Sequence, residues 1–212
     1  MTEQINHSLE NRKQIFLKAA EGLFAQHGFK GTSIRMIARA LNVNSAMISY
    51  YFGSKESLYI QIFRNRLVAI TDEIKSLENL DLDPPEKLEA YLLSYIKRIS
   101  TDQIFHRLLY NQLATRQHPE VISLVTKARI EIFSFLLKVV KSGIKTKQFN
   151  LIDEEIFALN ILSFIPSVFT GNLSSLLHLD KHVKEDISGR MIDHIMSMVI
   201  PVRLQSKTKY DV

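Results

Sequence analysis

The residues of this chain best suited to chemistry fall in one short run, Ser45, Ala46, Met47, Ser49 and Tyr50. Side chains of these types on one exposed helix face suit the major groove of DNA, where each base pair shows a distinct donor and acceptor pattern. Ser45 can hydrogen-bond a base edge or a phosphate, and Ala46 and Met47 suit a thymine methyl. Other clusters offer less. His178 and His182 are four apart, with Asp180, Glu185 and Asp186 nearby, but nothing fixes a third ligand, and a capped, solvated helix start is the better reading. Asp153, Glu154 and Glu155 read as carboxylates favoured by the dipole at a helix N-terminus. The chain has no cysteine, which excludes disulfides and thiolate chemistry. No glycine-rich phosphate loop, nucleophile elbow or closely spaced His-Glu motif stands in the sequence, so the expectation is no enzyme, no cofactor and no metal.

The elements that must position this run are helices. Only seven glycines and five prolines occur, mostly where apolar periodicity stops, which is the punctuation of an all-α protein. A first helix is expected over 10–27, with Ile15, Phe16, Ala19, Ala20, Leu23 and Phe24 in one stripe and Gly28 ending it. Thr32 or Ser33 can cap a short second helix through Ala40, whose inner face is Ile34, Ile37, Ala38 and Leu41. Asn42 tolerates a left-handed turn. Asn44 can cap a third helix, Ser45 to Phe52, and Ser54 a long fourth beginning at Lys55 and ending before Asp83. Further helices are expected near 85–100, 103–117, 119–143, 152–170 and 181–199. The segment 33–52 thus has the dimensions of a helix-turn-helix, with Phe52 in its core.

Charge supports a phosphate-bearing partner. The net charge is +5, and residues 1–70 hold nine Lys/Arg against four Asp/Glu, whereas the remainder holds eighteen of each. Apolar content of 46% is ample for a core, and the most apolar segment, 156–169, is too short to span a bilayer and is interrupted by Asn160 and Pro166. With a polar amino terminus, this places the chain in the cytoplasm, with no membrane partner expected.

From Gly31 to Ala38 the sequence reads Gly-Thr-Ser-Ile-Arg-Met-Ile-Ala, followed by Ala40-Leu41-Asn42-Val43-Asn44, Ile48-Ser49-Tyr50-Tyr51-Phe52 and Lys55-Glu56-Ser57-Leu58. In order and register this resembles the signature of the TetR family of transcriptional regulators, and Ala19-Ala20, Leu23-Phe24 and Gly28 resemble that family's first helix. Asn42 and Asn44 stand where the family favours glycine and serine, and both keep the physical role. Ala46 and Ser49 replace a frequent glycine and tyrosine and change the contact surface.

The resemblance implies a three-helix DNA-binding module over 8–68 and a helical body over 69–212 for dimerisation and ligand binding. It implies further DNA contacts: Arg35 to a guanine edge or phosphate, Thr32, Tyr51 and Lys55 to phosphates, with Ser33 and Asn44 in the same surface. Taken singly, Tyr50 and Tyr51 would be half-buried aromatics, and Arg35 and Lys55 ordinary surface charges; their joint register favours DNA. Helices 152–170 and 181–199 are apolar over more than one face and are expected to form a homodimer interface. Pocket candidates for an unknown small-molecule effector combine apolar bulk with a polar tip or lie beside such residues: Tyr91, Tyr95, Phe105, His106, Tyr110, Asn111 and Phe133. The expected function is a ligand-responsive repressor, dimeric on palindromic operator DNA. The alternatives are a regulator without an inducer, or a helical ligand-binding protein or enzyme.

Overall fold

Wherever apolar residues recur at three- and four-residue spacing, the chain is helical, and glycine, asparagine, proline or a hydroxyl cap marks the interruptions. The structure, a computed structural model, describes the backbone of residues 2–170 and 181–201 and the side chains of 11–169 and 187–201. The helices are α1 (Thr2–Gly31), α2 (Ile34–Ala40), α3 (Ser45–Phe52), α4 (Lys55–Asn79), α5 (Pro84–Thr101), α6 (Gln103–Thr115), α7 (Pro119–Lys145), α8 (Glu154–Thr170) and α9 (Lys181–Val199). Among the described residues there is no strand, and no helix is long and apolar enough to cross a membrane.

The one large departure from the expected helices is α1, which starts at Thr2 rather than Glu10. Its first residues are polar and carry no apolar stripe, and a helix once nucleated gains one hydrogen bond per added residue. Gly28 does not end α1 but bends it: at φ 70°, ψ 171° it breaks the helical path, which resumes through Gly31.

The chain divides into two compact units, Met1–Ala69 with Ile104–Thr126, and Ile70–Gln103 with Lys127–Val212. In the first unit the core is Phe16, Ala20 and Phe24 of α1, Ile37 and Ala38 of α2, Ile48 of α3 and Leu58, Ile62 and Phe63 of α4. Phe63 also meets Phe105 of α6 at 5.6 Å, which ties that helix into the unit. Glu21 is buried and is held by a two-pronged bond from Arg66, at 2.7 and 2.9 Å. A carboxylate removed from water needs such a partner, and the planar guanidinium supplies both donors at once.

The second unit is built around α5, whose Leu88, Tyr91, Leu92, Tyr95, Ile96 and Ile99 form one buried face. This helix packs against α8 and α9. Asp83 caps it through a reciprocal pair: its carboxylate accepts from the Glu86 N–H at 3.0 Å, and the Glu86 carboxylate accepts from the Asp83 N–H at 3.0 Å. The end of α7 is closed by Lys147 at φ 61° and by the N–H groups of Gln148 and Phe149, which donate to the Gly143 carbonyl at 2.9 and 3.0 Å.

On α8, Asp153 caps the start by accepting from the N–H groups of Glu155 and Ile156, so this acidic run serves the helix end as expected. His178 and Asp180 lie outside the described residues, as do the side chains of His182, Glu185 and Asp186.

Candidate nucleic-acid interface

Two short helices and the turn between them make the candidate interface. Ser33 begins α2, its hydroxyl oxygen accepting from the Met36 N–H at 3.2 Å. The helix buries Ile37 and Ala38 and leaves Arg35 and Arg39 exposed. Asn42 takes the left-handed conformation, φ 53°, that the turn requires, and the Val43 N–H donates to the Ala38 carbonyl at 3.0 Å. Asn44 then caps α3, its side-chain oxygen accepting from the Ala46 N–H at 2.9 Å, which leaves the amide NH2 group as a donor. The helix α3 buries one residue, Ile48, and ends at Gly53, φ 74°. Such a helix has one fully buried residue and a broad remaining surface.

That surface holds the predicted reading residues. Ala46, Ser49 and Tyr50 are exposed, and Ser45 and Met47 are half-buried beside them. Tyr50 is 85% exposed, an unusual setting for so large an aromatic. Its ring meets the edge of Tyr51 at 5.6 Å, and Tyr51 meets Phe16 at 5.5 Å, so the exposed phenol is braced from the core. Arg35 and Arg39 form no ion pair among the described residues. Both guanidiniums therefore keep their donors for an outside acceptor.

Three residues sit differently from the sequence expectation. Thr32 is 1% exposed, and its Oγ1 lies 2.8 Å from the Gly28 carbonyl and 3.1 Å from that of Leu23. One hydroxyl proton can serve one strong bond, and here it is engaged inside the fold at the bend of α1. Lys55 is half-buried; its Nζ donates to the carbonyls of Phe29 and Thr32, at 2.9 and 3.0 Å, and lies 4.3 Å over the Phe29 ring. Two of its three donors are thus spent on closing the end of α1, which leaves one for a phosphate. Phe52 is half-buried rather than enclosed, tilted against Phe16 at 6.5 Å.

Two residues escaped the sequence reading. Arg39 lies one turn beyond Arg35 on the same exposed face, a signal carried by the four-residue spacing. Lys13 of α1 lines a cleft of about 280 Å³ with Tyr51, Ser57 and Gln61, and no spacing in the sequence joins those positions. The pocket candidates, for their part, are divided. Tyr91, Tyr95 and Phe133 belong to the second unit, whereas Phe105, His106, Tyr110 and Asn111 belong to the first. Tyr91 and Tyr95 stack at 5.4 Å, but the ring packed on Tyr91 from α7 is Phe135, at 5.6 Å, while Phe133 is half-buried and Asn111 exposed.

The family described as bacterial regulatory proteins, tetR family, matches residues 16–62, which contain the whole helix-turn-helix. The HTH-type transcriptional regulator YhgD of Bacillus subtilis is 26% identical over 162 residues, 75% of this chain and 83% of that protein. Residues 16–62 are a TetR-family DNA-binding domain. Another family relative, the HTH-type transcriptional repressor NicS of Pseudomonas putida, is 38% identical over 80 residues, 38% of this chain and 37% of its own length. The likeness of fold extends over the body as well: the solved transcriptional regulator FadR from Bacillus subtilis, in complex with stearoyl-CoA, matches with a TM-score of 0.68 at 16% identity, covering 86% of this chain and 97% of that one.

Proposed function

We propose that this chain is a TetR-family repressor that binds palindromic operator DNA as a homodimer in the cytoplasm and is released by a small-molecule effector. The observation that carries the reading is α3, which fully buries Ile48 and presents Ala46, Ser49 and Tyr50 outward beside the unpaired Arg35. Ser45, Ala46, Met47, Ser49 and Tyr50 read base edges. Arg35 reaches a base edge or a phosphate, and Arg39, Tyr51, Lys13 and the remaining Lys55 donor hold phosphates, with Ser33 and Asn44 at the flanks. Thr32 supports this surface from below through its bond to the Gly28 carbonyl.

Dimerisation is assigned to α8 and α9. The inner side of α8 is buried by Phe157, Ala158, Ile161, Leu162 and Ile165, yet its outer side still shows Ile156, Leu159 and Phe164. Phe164 borders a groove of about 210 Å³ with Asn160 of α8 and His194 and Met198 of α9. An exposed apolar strip of this kind is the material of a symmetric interface. The repressor sense is supported by the relative NicS, and effector control by the FadR complex. An effector releases DNA only by binding more tightly to the state that does not hold it.

The test is fluorescence anisotropy on DNA from the intergenic region beside the chain's own gene, titrated with salt. Arg35→Ala and Tyr50→Ala should each weaken specific binding by about 1–3 kcal/mol and leave the elution volume and melting temperature unchanged. Wild-type affinity in both variants would remove α2 and α3 as the reading surface.

A further inference from the structure

An ammonium drawn partly out of water needs a counter-charge or good hydration, and Lys13 of α1 has no counter-charge. It is half-buried and forms no ion pair among the described residues. The cleft of about 280 Å³ that it lines is bordered also by Tyr51 of α3 and by Ser57, Gln61 and Asn65 of α4, all within the first unit. No carboxylate lines it. Glu21 of α1 and Glu56 of α4 are directed elsewhere, to Arg66 at 2.7 Å and to His118 at 3.5 Å.

Each polar side chain at this cleft has a proton to give. The ammonium has three. Ser57 accepts from the Ser54 hydroxyl at 3.0 Å, which leaves its own proton for an outside acceptor. Gln61 spends one amide N–H on the Asn65 oxygen, at 2.6 Å, and keeps the second, while the Asn65 amide keeps both. The Tyr51 ring is braced edge-on by Phe16 at 5.5 Å, which restricts where its O–H stands. One positive charge, several donors and no acid suit a group with one negative charge and several oxygens.

Volume decides between a molecule and a group. The cleft is smaller than the roughly 300–1,000 Å³ of small-molecule pockets, so it suits one group carried on a larger partner. Tyr51 places that partner. It adjoins the exposed Tyr50, ring to ring at 5.6 Å, on the helix that holds the reading residues. A duplex read by α3 in its major groove, about 12 Å wide, has a backbone strand along each flank of that helix. Each phosphodiester of such a strand carries one negative charge and two unbridged oxygens, which matches one ammonium with hydroxyls beside it.

We infer that the cleft between α1, α3 and α4 receives one phosphodiester of the DNA backbone, held jointly by the Lys13 ammonium and the hydroxyls of Tyr51 and Ser57. This rests on the reading of α3 as the helix that meets DNA, and it adds that Lys13 and Tyr51 grip the same phosphate rather than two. The DNA contact then extends past the helix-turn-helix onto α1 and the first turn of α4. A phosphate contact carries no sequence information, so the cleft strengthens operator and unrelated DNA alike.

Anisotropy titrations of the full chain, on its upstream intergenic DNA and on an unrelated duplex of equal length, test the site. Lys13→Met should weaken both about fivefold and flatten the salt slope by about one unit, with the melting temperature unchanged, and Lys13→Arg should keep the slope. On the footprinted operator, each phosphate is then replaced in turn by an uncharged methylphosphonate. One position in each half-site should weaken wild type yet weaken Lys13→Met no further, and Tyr51→Phe should be less sensitive than wild type at that same position. A wild-type salt slope in Lys13→Met, or separate positions for Lys13 and Tyr51, would overturn the inference. So would a melting temperature raised by inorganic phosphate through Lys13 while the salt slope stays at the wild-type value, since the cleft would then hold a free anion. If Arg35→Ala and Tyr50→Ala bind as wild type while Lys13→Met is weakened on both duplexes, the phosphate site stands and the assignment of α3 as the reading helix is what fails.

Discussion

Residue type and residue setting part company most clearly at Thr32 and Lys55. By type both suit a phosphate, and both are drawn instead to the carbonyls around the Gly28 bend, where unpaired acceptors at a helix end need donors. Tyr50 and Tyr59 show the same division among phenols. Tyr50 is left to solvent, whereas Tyr59 is enclosed by Phe24, Phe29 and Phe63, and burial raises its phenol pKa far above the ordinary value. The consequence is alkaline lability. Below about pH 10 both folded and unfolded chains keep this proton; above it the unfolded phenol ionises first, so the unfolded state binds fewer protons and stability falls as pH rises. Denaturant melts between pH 9 and 11 should show stability declining above pH 10, with a shallower decline in Tyr59→Phe. An equal slope in wild type and variant would remove Tyr59 as a source of the loss.

At the scale of the element, the helix ends were legible because their signals are local. Ser33 and Asn44 cap where hydroxyl and amide side chains were placed to do so, and Asn42 turns left-handed between α2 and α3, whereas Asp83, read from the sequence only as a boundary, also caps α5. The start of α1 was not legible, because a polar helix has no stripe. Gly143 illustrates a constraint that pattern cannot show: it sits within α7, where glycine weakens a helix, yet a Cβ built there would come within 2.2 Å of the Phe149 ring. Phe149 is buried and both its N–H and that of Gln148 return to the Gly143 carbonyl, so the ring has no easy retreat. Gly143→Ala should therefore destabilise the chain by about 1–3 kcal/mol despite alanine's better helix propensity, as read by chemical denaturation. A stabilised variant would mean that the ring moves aside freely.

For the whole molecule the open question is what covers the apolar outer side of α8. Phe164, 43% exposed, is the largest residue on it. Phe164→Glu should convert a dimer into a monomer by light scattering and weaken operator binding at least tenfold, about 1.4 kcal/mol, because two linked heads no longer engage together. Persistence of the dimer would move the interface elsewhere. By itself the sequence determined the all-α class, most helix bounds and the register of the helix-turn-helix, since capping, turning and apolar periodicity act between residues a few positions apart. The tertiary structure alone decided which of the chemically suited side chains face outward, that Thr32 turns inward, that Arg98 is fixed by Glu73, and that Phe135 rather than Phe133 meets Tyr91. Those outcomes depend on contacts between residues far apart in the chain, and the identity of a side chain does not say which distant neighbour will claim its hydrogen bonds.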